Sequence, residues 1–206
     1  MSKERSQKIY LVIVAVTAIS LTFLVMFPFT QGGTIQESNK EYQEEQLLPD
    51  SANYMMRNFK RSLNVEGSRL NDVALYSHNK NTSLHKLVSK PTLVFRFFET
   101  NCEPCICAEL TALKERTDSI QDKVLLISSY SIYKGMRAFL TANKMDSLSA
   151  YQMNPLDTLA WEPDKYESPY YFILYPGGKT SHFFMAVPDY IKYTKQYVEG
   201  VTNLLK

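Results

Sequence analysis

The sequence predicts an α/β domain, built as a mixed β-sheet flanked by helices and preceded by one N-terminal transmembrane helix. Three observations lead to this prediction. Residues 9–29 form an uncharged apolar run, strand-like and helix-like segments alternate over residues 91–144, and a hairpin pattern followed by a helix-compatible stretch ends the chain. Alternating strands and helices are typical of parallel βαβ units, whereas a hairpin adds antiparallel strands, so both pairings are expected in one sheet.

The apolar run at the N-terminus is long enough to cross a membrane. As a helix, residues 9–29 span roughly 30 Å, about the thickness of the hydrocarbon core of a bilayer. Three cations lie within residues 1–8, whereas the first charged residue after the run is Glu37. This asymmetry places residues 1–8 in the cytoplasm and the rest of the chain outside. A cleaved signal peptide is the alternative, but the run is long and lacks an Ala-x-Ala end, which favours a retained single-pass anchor in the lipid bilayer.

The remainder of the chain divides into a tether and one domain. Residues 30–50 are polar and rich in Glu and Gln, and residues 30–66 as a whole are predicted to be a linker with a short helix near Asp50. Residues 67–206 have the size of a single domain. The chain carries 23 Lys and Arg against 21 Asp and Glu, and its excess cations lie in residues 1–8. The rest of the chain is therefore neutral, and it shows no basic stripe or run of like charges, so nucleic acid is not an expected partner.

Apolar periodicity predicts the elements of the domain. Residues 70–87 favour a hairpin or short strands, and the apolar run over 91–98 is typical of a buried strand. Further along we expect, in order, a helix over 102–116, a strand over 124–129, a helix over 132–144, a hairpin over 170–187 and a closing helix over 188–205.

Two cysteines stand where the buried strand meets the next helix, in the sequence Cys102-Glu103-Pro104-Cys105. At a helix N-terminus, unpaired N–H groups and the positive end of the helix dipole stabilise a thiolate on the first, exposed sulfur. The second sulfur lies one turn further in. Two thiols at this spacing can close a disulfide, so the pair can exchange two electrons with another protein, and neither a metal nor an organic cofactor is expected.

This order of elements resembles the thioredoxin superfamily over residues 67–206. The anchor, the lead-in before the buried strand and the insertion of residues 145–168 make the chain similar to the membrane-anchored TlpA and ResA group of bacterial envelopes, and the Glu-Pro dipeptide occurs in the ResA branch. The resemblance implies a thioredoxin-like fold and a thiol-disulfide oxidoreductase. It further implies a place on the outer, periplasmic side of the bacterial cytoplasmic (inner) membrane, with disulfide-containing substrate proteins and a membrane-embedded electron donor as partners.

The resemblance also assigns roles to residues. Cys102 corresponds to the nucleophilic cysteine and Cys105 to the resolving one. Ser168-Pro169 corresponds to the loop that contacts a bound substrate segment, and the bond before Pro169 is expected to be cis. The alternative is a trans proline that opens an edge strand.

Three residues are expected to tune the redox pair. Glu103 places a negative charge beside the first thiolate and favours the role of reductant, and Pro104 is the residue that reducing thioredoxins carry at this place. Arg96 stands where thioredoxins carry a buried Asp. We expect its stem to pack and its head to pair with an acid such as Glu99 or Glu109, and the alternative is a cation below the cysteines that lowers a thiol pKa.

The sequence thus predicts a disulfide reductase, with one alternative of a different class. Cys102, Cys105 and Cys107 offer soft sulfur ligands, so a thioredoxin-like metal carrier for copper, or a non-catalytic binding module, is the alternative. No metal site is expected, because Cys107 lies about 200° round the helix from Cys105 and is expected to be buried in the core. The three histidines show no metal-ligand spacing either.

Overall fold

The structure is a computed structural model of the 206-residue chain, and it describes residues 50–78, 80–186 and 188–206. The expected anchor over residues 9–29 lies outside the described residues. Within the described ranges, no helix is long and apolar enough to span a bilayer. The chain separates into two units, residues 1–54 and 55–206. Of the first, residues 50–54 are described and begin a helix, and the rest of this account concerns the second.

The described elements alternate between helices and strands along most of the chain. In chain order they are α1 (Asp50–Val65), β1 (Ala74–Ser77), β2 (Lys80–Ser83), α2 (Leu84–Leu87), β3 (Thr92–Phe98), α3 (Glu103–Thr117), β4 (Val124–Ser129), α4 (Tyr133–Ala142), β5 (Ser149–Gln152), β6 (Tyr170–Leu174), β7 (Thr180–Met185) and α5 (Ile191–Leu205). Short 3₁₀ helices cover Asp118–Lys123, Glu162–Tyr166 and Pro188–Tyr190.

The described strands form one mixed sheet in the order β2-β1-β5-β4-β3-β6-β7. Strands β3, β4 and β5 run parallel to one another, whereas β6 pairs antiparallel with β3 and β7 pairs antiparallel with β6. The predicted mixed sheet flanked by helices is therefore confirmed. Because the carboxyl ends of parallel strands meet at one edge of a sheet, the loops after β3 and β4 lie side by side.

The central strand β3 is buried along its whole length and separates two layers of core. On one face, Phe95 stacks on Tyr171 with ring centroids 4.4 Å apart, and Tyr171 in turn faces Tyr197 of α5. On the other face, Val94 and Phe98 belong to a cluster that also contains Trp161. The alternation of side chains along a strand explains why neighbouring residues of β3 serve opposite layers.

Three sequence expectations change in the structure. Residues 84–87 form the short helix α2 rather than a strand, because β1 and β2 already complete a hairpin before them. The insertion over 145–168 contributes β5, a strand of the same sheet that the sequence did not predict. Its four residues are too few for a periodic pattern, and pairing with β4 decides their conformation. Helix α1 extends over 16 residues, longer than the short helix expected.

Helix α1 is held to the sheet by a reciprocal pair of hydrogen bonds. The Asn58 amide donates to the Met185 carbonyl oxygen at 3.0 Å, and the Met185 N–H donates to the Asn58 side-chain oxygen at 2.7 Å. Val65, at the end of the helix, enters the core cluster. One face of α1 therefore belongs to the domain.

Candidate active site

The two cysteines of the Cys-x-x-Cys motif lie at the start of α3. Cys102 is exposed and occupies the N-cap position, and Cys105 is half-buried one turn further along. The two form a disulfide, with their Cα atoms 5.2 Å apart. No side chain caps the N-terminus of α3, so the first N–H groups of the helix remain available to a thiolate on Cys102.

A glutamate joins the two loops that follow the parallel strands. The Glu99 carboxylate accepts hydrogen bonds from the hydroxyl and the N–H of Ser131, at 2.6 and 2.8 Å. These bonds hold the pKa of Glu99 below its usual value, the hydroxyl contributing most. Glu99 therefore ties the loop before Cys102 to the loop after β4, rather than pairing with Arg96.

Asn101 fastens a third loop beside the cysteines. Its side-chain oxygen accepts a hydrogen bond from the Phe98 N–H at 2.8 Å, and its amide donates to the Glu167 carbonyl oxygen at 2.7 Å. Glu167 directly precedes the Ser168-Pro169 pair. The residue before Cys102 is therefore bonded to the residue before Ser168, which brings the predicted substrate-contact loop next to the first cysteine.

The peptide bond between Ser168 and Pro169 is trans, and no cis bond occurs in the described ranges, so the expectation of a cis bond is wrong. Trans is the lower-energy isomer of X-Pro bonds by about 0.5–1 kcal/mol. The chain turns instead at Glu167, whose φ is 46°. Pro169 is buried, and its carbonyl oxygen accepts a hydrogen bond from the Ala186 N–H at 2.9 Å, at the start of the pairing between β6 and β7.

Arg96 is fully buried and pairs with Asp164, a residue of the insertion. The expectation that Arg96 pairs with Glu99 or Glu109 is therefore wrong. The Arg96 Nε lies 3.1 Å from an Asp164 carboxylate oxygen, and its Nη2 donates to the Ser129 hydroxyl at 2.6 Å. Sequence spacing could not find Asp164, because 68 residues separate the partners.

Further contacts stabilise both the Arg96 guanidinium and the Asp164 carboxylate. Asp164 also accepts hydrogen bonds from the Tyr170 hydroxyl at 2.6 Å and from the Leu159 N–H at 2.7 Å. The Arg96 guanidinium stacks over the Phe98 ring, 4.2 Å from its centroid. Arg96 alternates with Phe95 on β3, so it lies on the face of the sheet opposite to the layer of α5. A tuning effect of Arg96 on the thiols stays a prediction.

Glu109 is a buried carboxyl group on α3, which the sequence analysis considered only as a partner for Arg96. Its two carboxylate oxygens accept hydrogen bonds from the Tyr171 hydroxyl at 3.0 Å and the Thr194 hydroxyl at 3.2 Å. Burial raises the pKa of Glu109 to about 7, against the opposing effect of these two hydrogen bonds. Glu109 follows Cys105 by four residues, so the two share one side of the helix. This spacing was the only sign in the sequence that Glu109 lies near the cysteine pair. Its partners Tyr171 and Thr194 come from distant elements and could not be predicted.

Cys107 remains a free thiol and is half-buried, so the expectation that it lies in the core is wrong. The inward positions of this turn of α3 are taken by Ile106, Glu109 and Leu110, which leaves Cys107 at the boundary of the core. In the part of the chain that the structure describes, no group of three or more His, Cys, Asp or Glu side chains is arranged to hold a metal ion.

Comparison with known proteins establishes the fold. No family model matches the sequence, and no curated protein does so at a significant level. Among solved structures, a mutant PrxQ from Xylella fastidiosa is similar, with a TM-score of 0.50 and 12% identity over 68% of this chain and 97% of that chain.

Two further solved structures are named for thiol-disulfide chemistry. One is the thioredoxin domain of a thiol-disulfide oxidoreductase from Bacteroides vulgatus, with a TM-score of 0.47 and 14% identity over 65% of this chain and 97% of that one. The other is named for the thiol:disulfide interchange protein DsbE from Chlorobium tepidum, with a TM-score of 0.49 and 14% identity over 66% of this chain and 97% of that one. At such identities the likeness concerns fold alone. The chain has a thioredoxin-like fold with a Cys-x-x-Cys pair at the start of the helix that follows its central strand.

Proposed function

We propose that the protein is a membrane-anchored, extracytoplasmic thiol-disulfide oxidoreductase that reduces disulfides in substrate proteins. One observation supports this most directly. An exposed Cys102, at the uncapped N-terminus of α3, forms a disulfide with the half-buried Cys105. An exposed sulfur that is stabilised as a thiolate can attack a substrate, and a shielded neighbour can complete the exchange.

The proposed reaction starts from the reduced pair. The Cys102 thiolate attacks one sulfur of a substrate disulfide, a mixed disulfide forms, and the other substrate sulfur leaves as a thiolate. The Cys105 thiolate then attacks the Cys102 sulfur, which forms the Cys102–Cys105 disulfide and releases the second substrate sulfur. The pair has lost two electrons and the substrate has gained them. A membrane-embedded electron donor must then reduce the pair again.

The second step requires Cys105 to lose its proton. Glu109 lies one helical turn away on the same side of α3 and has a pKa of about 7. A carboxyl group with this pKa holds and releases a proton near neutral pH, which suits it to exchange a proton with the resolving cysteine. We therefore propose that Glu109, held by the Tyr171 and Thr194 hydroxyl groups, is the group that accepts this proton.

The role of reductant is supported by the residues between the cysteines. Glu103 is exposed in the first turn of α3, so its negative charge lies close to a Cys102 thiolate and opposes its stabilisation by the helix end. A less stable thiolate favours the oxidised pair and hence electron donation to a substrate. Pro104 removes one N–H group from the same turn and acts in the same direction.

The proposed location follows from the N-terminal run. Residues 9–29 would anchor the chain in the bacterial cytoplasmic membrane, with residues 1–8 inside the cell and the catalytic domain on the periplasmic side. In this compartment disulfides form and persist, so substrates are present.

The proposal is tested by trapping substrates in living cells. A Cys105→Ala variant retains the nucleophile but cannot resolve the mixed disulfide, so it should accumulate covalent adducts that reducing agents release. The matched control, Cys102→Ala with Cys105→Ala, should give none, and both variants carry Cys107→Ala so that the third thiol is not a source of adducts. Without adducts in the Cys105→Ala variant, disulfide exchange through Cys102 is ruled out as the function.

A further inference from the structure

Helix α1 exposes an unusual concentration of large apolar side chains. Met55, Met56, Phe59 and Leu63 are exposed by 43%, 44%, 59% and 62%. They are four of the nine large hydrophobic residues exposed within the described ranges, although α1 is only one of the helices. The exposed apolar surface is therefore collected on this element rather than scattered.

These four side chains form one stripe. At 100° per residue, Met55, Phe59, Leu63 and Met56 fall within a sector of the helix about 100° wide. The opposite side of α1 carries Asn58, which bonds to β7, and Val65, which enters the core. Phe59 and Leu63, the most exposed members of the stripe, therefore lie largely outside the packing of the domain, and they need a second apolar surface to cover them.

The charge of α1 identifies the kind of surface. No acidic residue occurs from residue 51 to residue 65. The exposed Lys60 lies about 40° beyond the Met56 edge of the stripe and the exposed Arg57 about 100° beyond it. The Arg61 guanidinium instead lies over the Tyr166 ring and donates to the Met185 sulfur. An apolar stripe that has cations and no carboxylates beside it is typical of a helix that lies in the headgroup region of a bilayer, where anionic lipids attract cations and repel carboxylates.

The upstream sequence places a bilayer within reach. The uncharged run ends at residue 29 and α1 begins at Asp50. The 20 residues between them extend to at most about 70 Å. A membrane that holds residues 9–29 is therefore always close enough for α1 to touch. The effective concentration of lipid at α1 is then high, which favours lipid over a second protein free in solution.

We propose that α1 lies flat on the membrane, with Met55, Phe59 and Leu63 among the acyl chains and the polar edge of the helix at the level of the headgroups. The inference rests on the proposed membrane anchor. It gives α1 a function beyond the anchor, because a second attachment fixes the height and orientation of the domain, and with them the position of Cys102 above the bilayer.

The test uses the full chain reconstituted into vesicles of phosphatidylcholine and phosphatidylglycerol, with bromine atoms on the acyl chains as fluorescence quenchers. Phe59→Trp places a reporter in the stripe, and Asn64→Trp places one on the exposed polar side of the same helix. The native Trp161 is 6% exposed and gives the background in both variants. Flotation of the vesicles after alkaline carbonate treatment separately reports whether the chain is anchored.

We expect the emission of Trp at position 59 to fall by at least about twofold, since interfacial helices lie about 5–10 Å deep, where the bromines are. The Asn64→Trp variant should be quenched little more than the wild type. Flotation without quenching at position 59 would overturn the inference and leave the anchor standing. Quenching without carbonate-resistant flotation would support the inference and refute the anchor. Equal quenching of both variants, or cross-linked dimers that shield position 59 from lipid, would also overturn it.

Discussion

Replacing the buried Glu109 with Gln should make the protein more stable at alkaline pH. Glu109 is fully buried, and its described contacts are two neutral hydroxyl groups, those of Tyr171 and Thr194. An ionised carboxylate in this position is poorly compensated. Gln keeps the size and can keep both hydrogen bonds, since each hydroxyl can donate or accept.

The size of the effect follows from the pKa. Burial raises the pKa of Glu109 from 4.5 to about 7, so the folded protein binds a proton that the unfolded chain releases between these values. The free energy of unfolding therefore falls as pH rises through this window, by about 3 kcal/mol in total. The Gln variant has no such loss. Its stability should match that of the wild type near pH 4.5 and exceed it by up to about 3 kcal/mol at pH 8.

The measurement is urea unfolding of the oxidised protein in mild detergent, at pH values from 4.5 to 8. The difference between Glu109→Gln and wild type isolates this one carboxyl group, because all other titrations are shared. Glu199→Gln, the same change at an exposed position of α5, serves as the control and should retain the slope of the wild type. If Glu109→Gln keeps that slope, or is the less stable protein at pH 8, burial does not govern the protonation of Glu109.

Asp164→Ala should lower the free energy of unfolding by about 3–5 kcal/mol, because Arg96 would stay buried without its partner. The double variant Arg96→Met/Asp164→Leu should recover much of this loss in the same urea experiment, and a single variant as stable as wild type would contradict the pairing. Gly178→Ala should cost about 1–3 kcal/mol, because the residue has a φ of 87° and its Cβ would lie 2.8 Å from the Leu70 carbonyl oxygen. Gly200→Ala, whose Cβ would meet no atom within 4 Å, is the control and should not destabilise.

Elements with long, distinctive patterns were predicted closely. Strand β4 covers the residues expected, and β3 and α3 begin within a residue of their predicted starts. Each has either a continuous apolar run or a helix-compatible segment bounded by clear signals, so local preference and burial agree. Strand β5 escaped prediction because its four residues become a strand only by pairing with β4.

In the candidate site, too, contacts between sequence neighbours were predicted and contacts between distant residues were not. The positions of Cys102 and Cys105 at a strand-to-helix junction could be predicted from the sequence, because the strand, the motif and the helix are contiguous in the chain. The link from Asn101 to Glu167 was not, since it joins residues 66 positions apart. The bond before Pro169 was predicted to be cis and is trans, and the backbone has a positive φ at Glu167.

The sequence by itself determined the succession β3, α3, β4 and α4, the closing hairpin and helix, and the cysteine pair at the start of α3, since each of these depends on neighbours along the chain. Only the tertiary structure decided which acid pairs with Arg96, that Glu109 is buried between two hydroxyl groups, and that one side of α1 stays uncovered. The physical reason is that burial and pairing are properties of distant segments brought together. A local pattern shows that a charge needs a partner, but only the packed chain shows which residue supplies it.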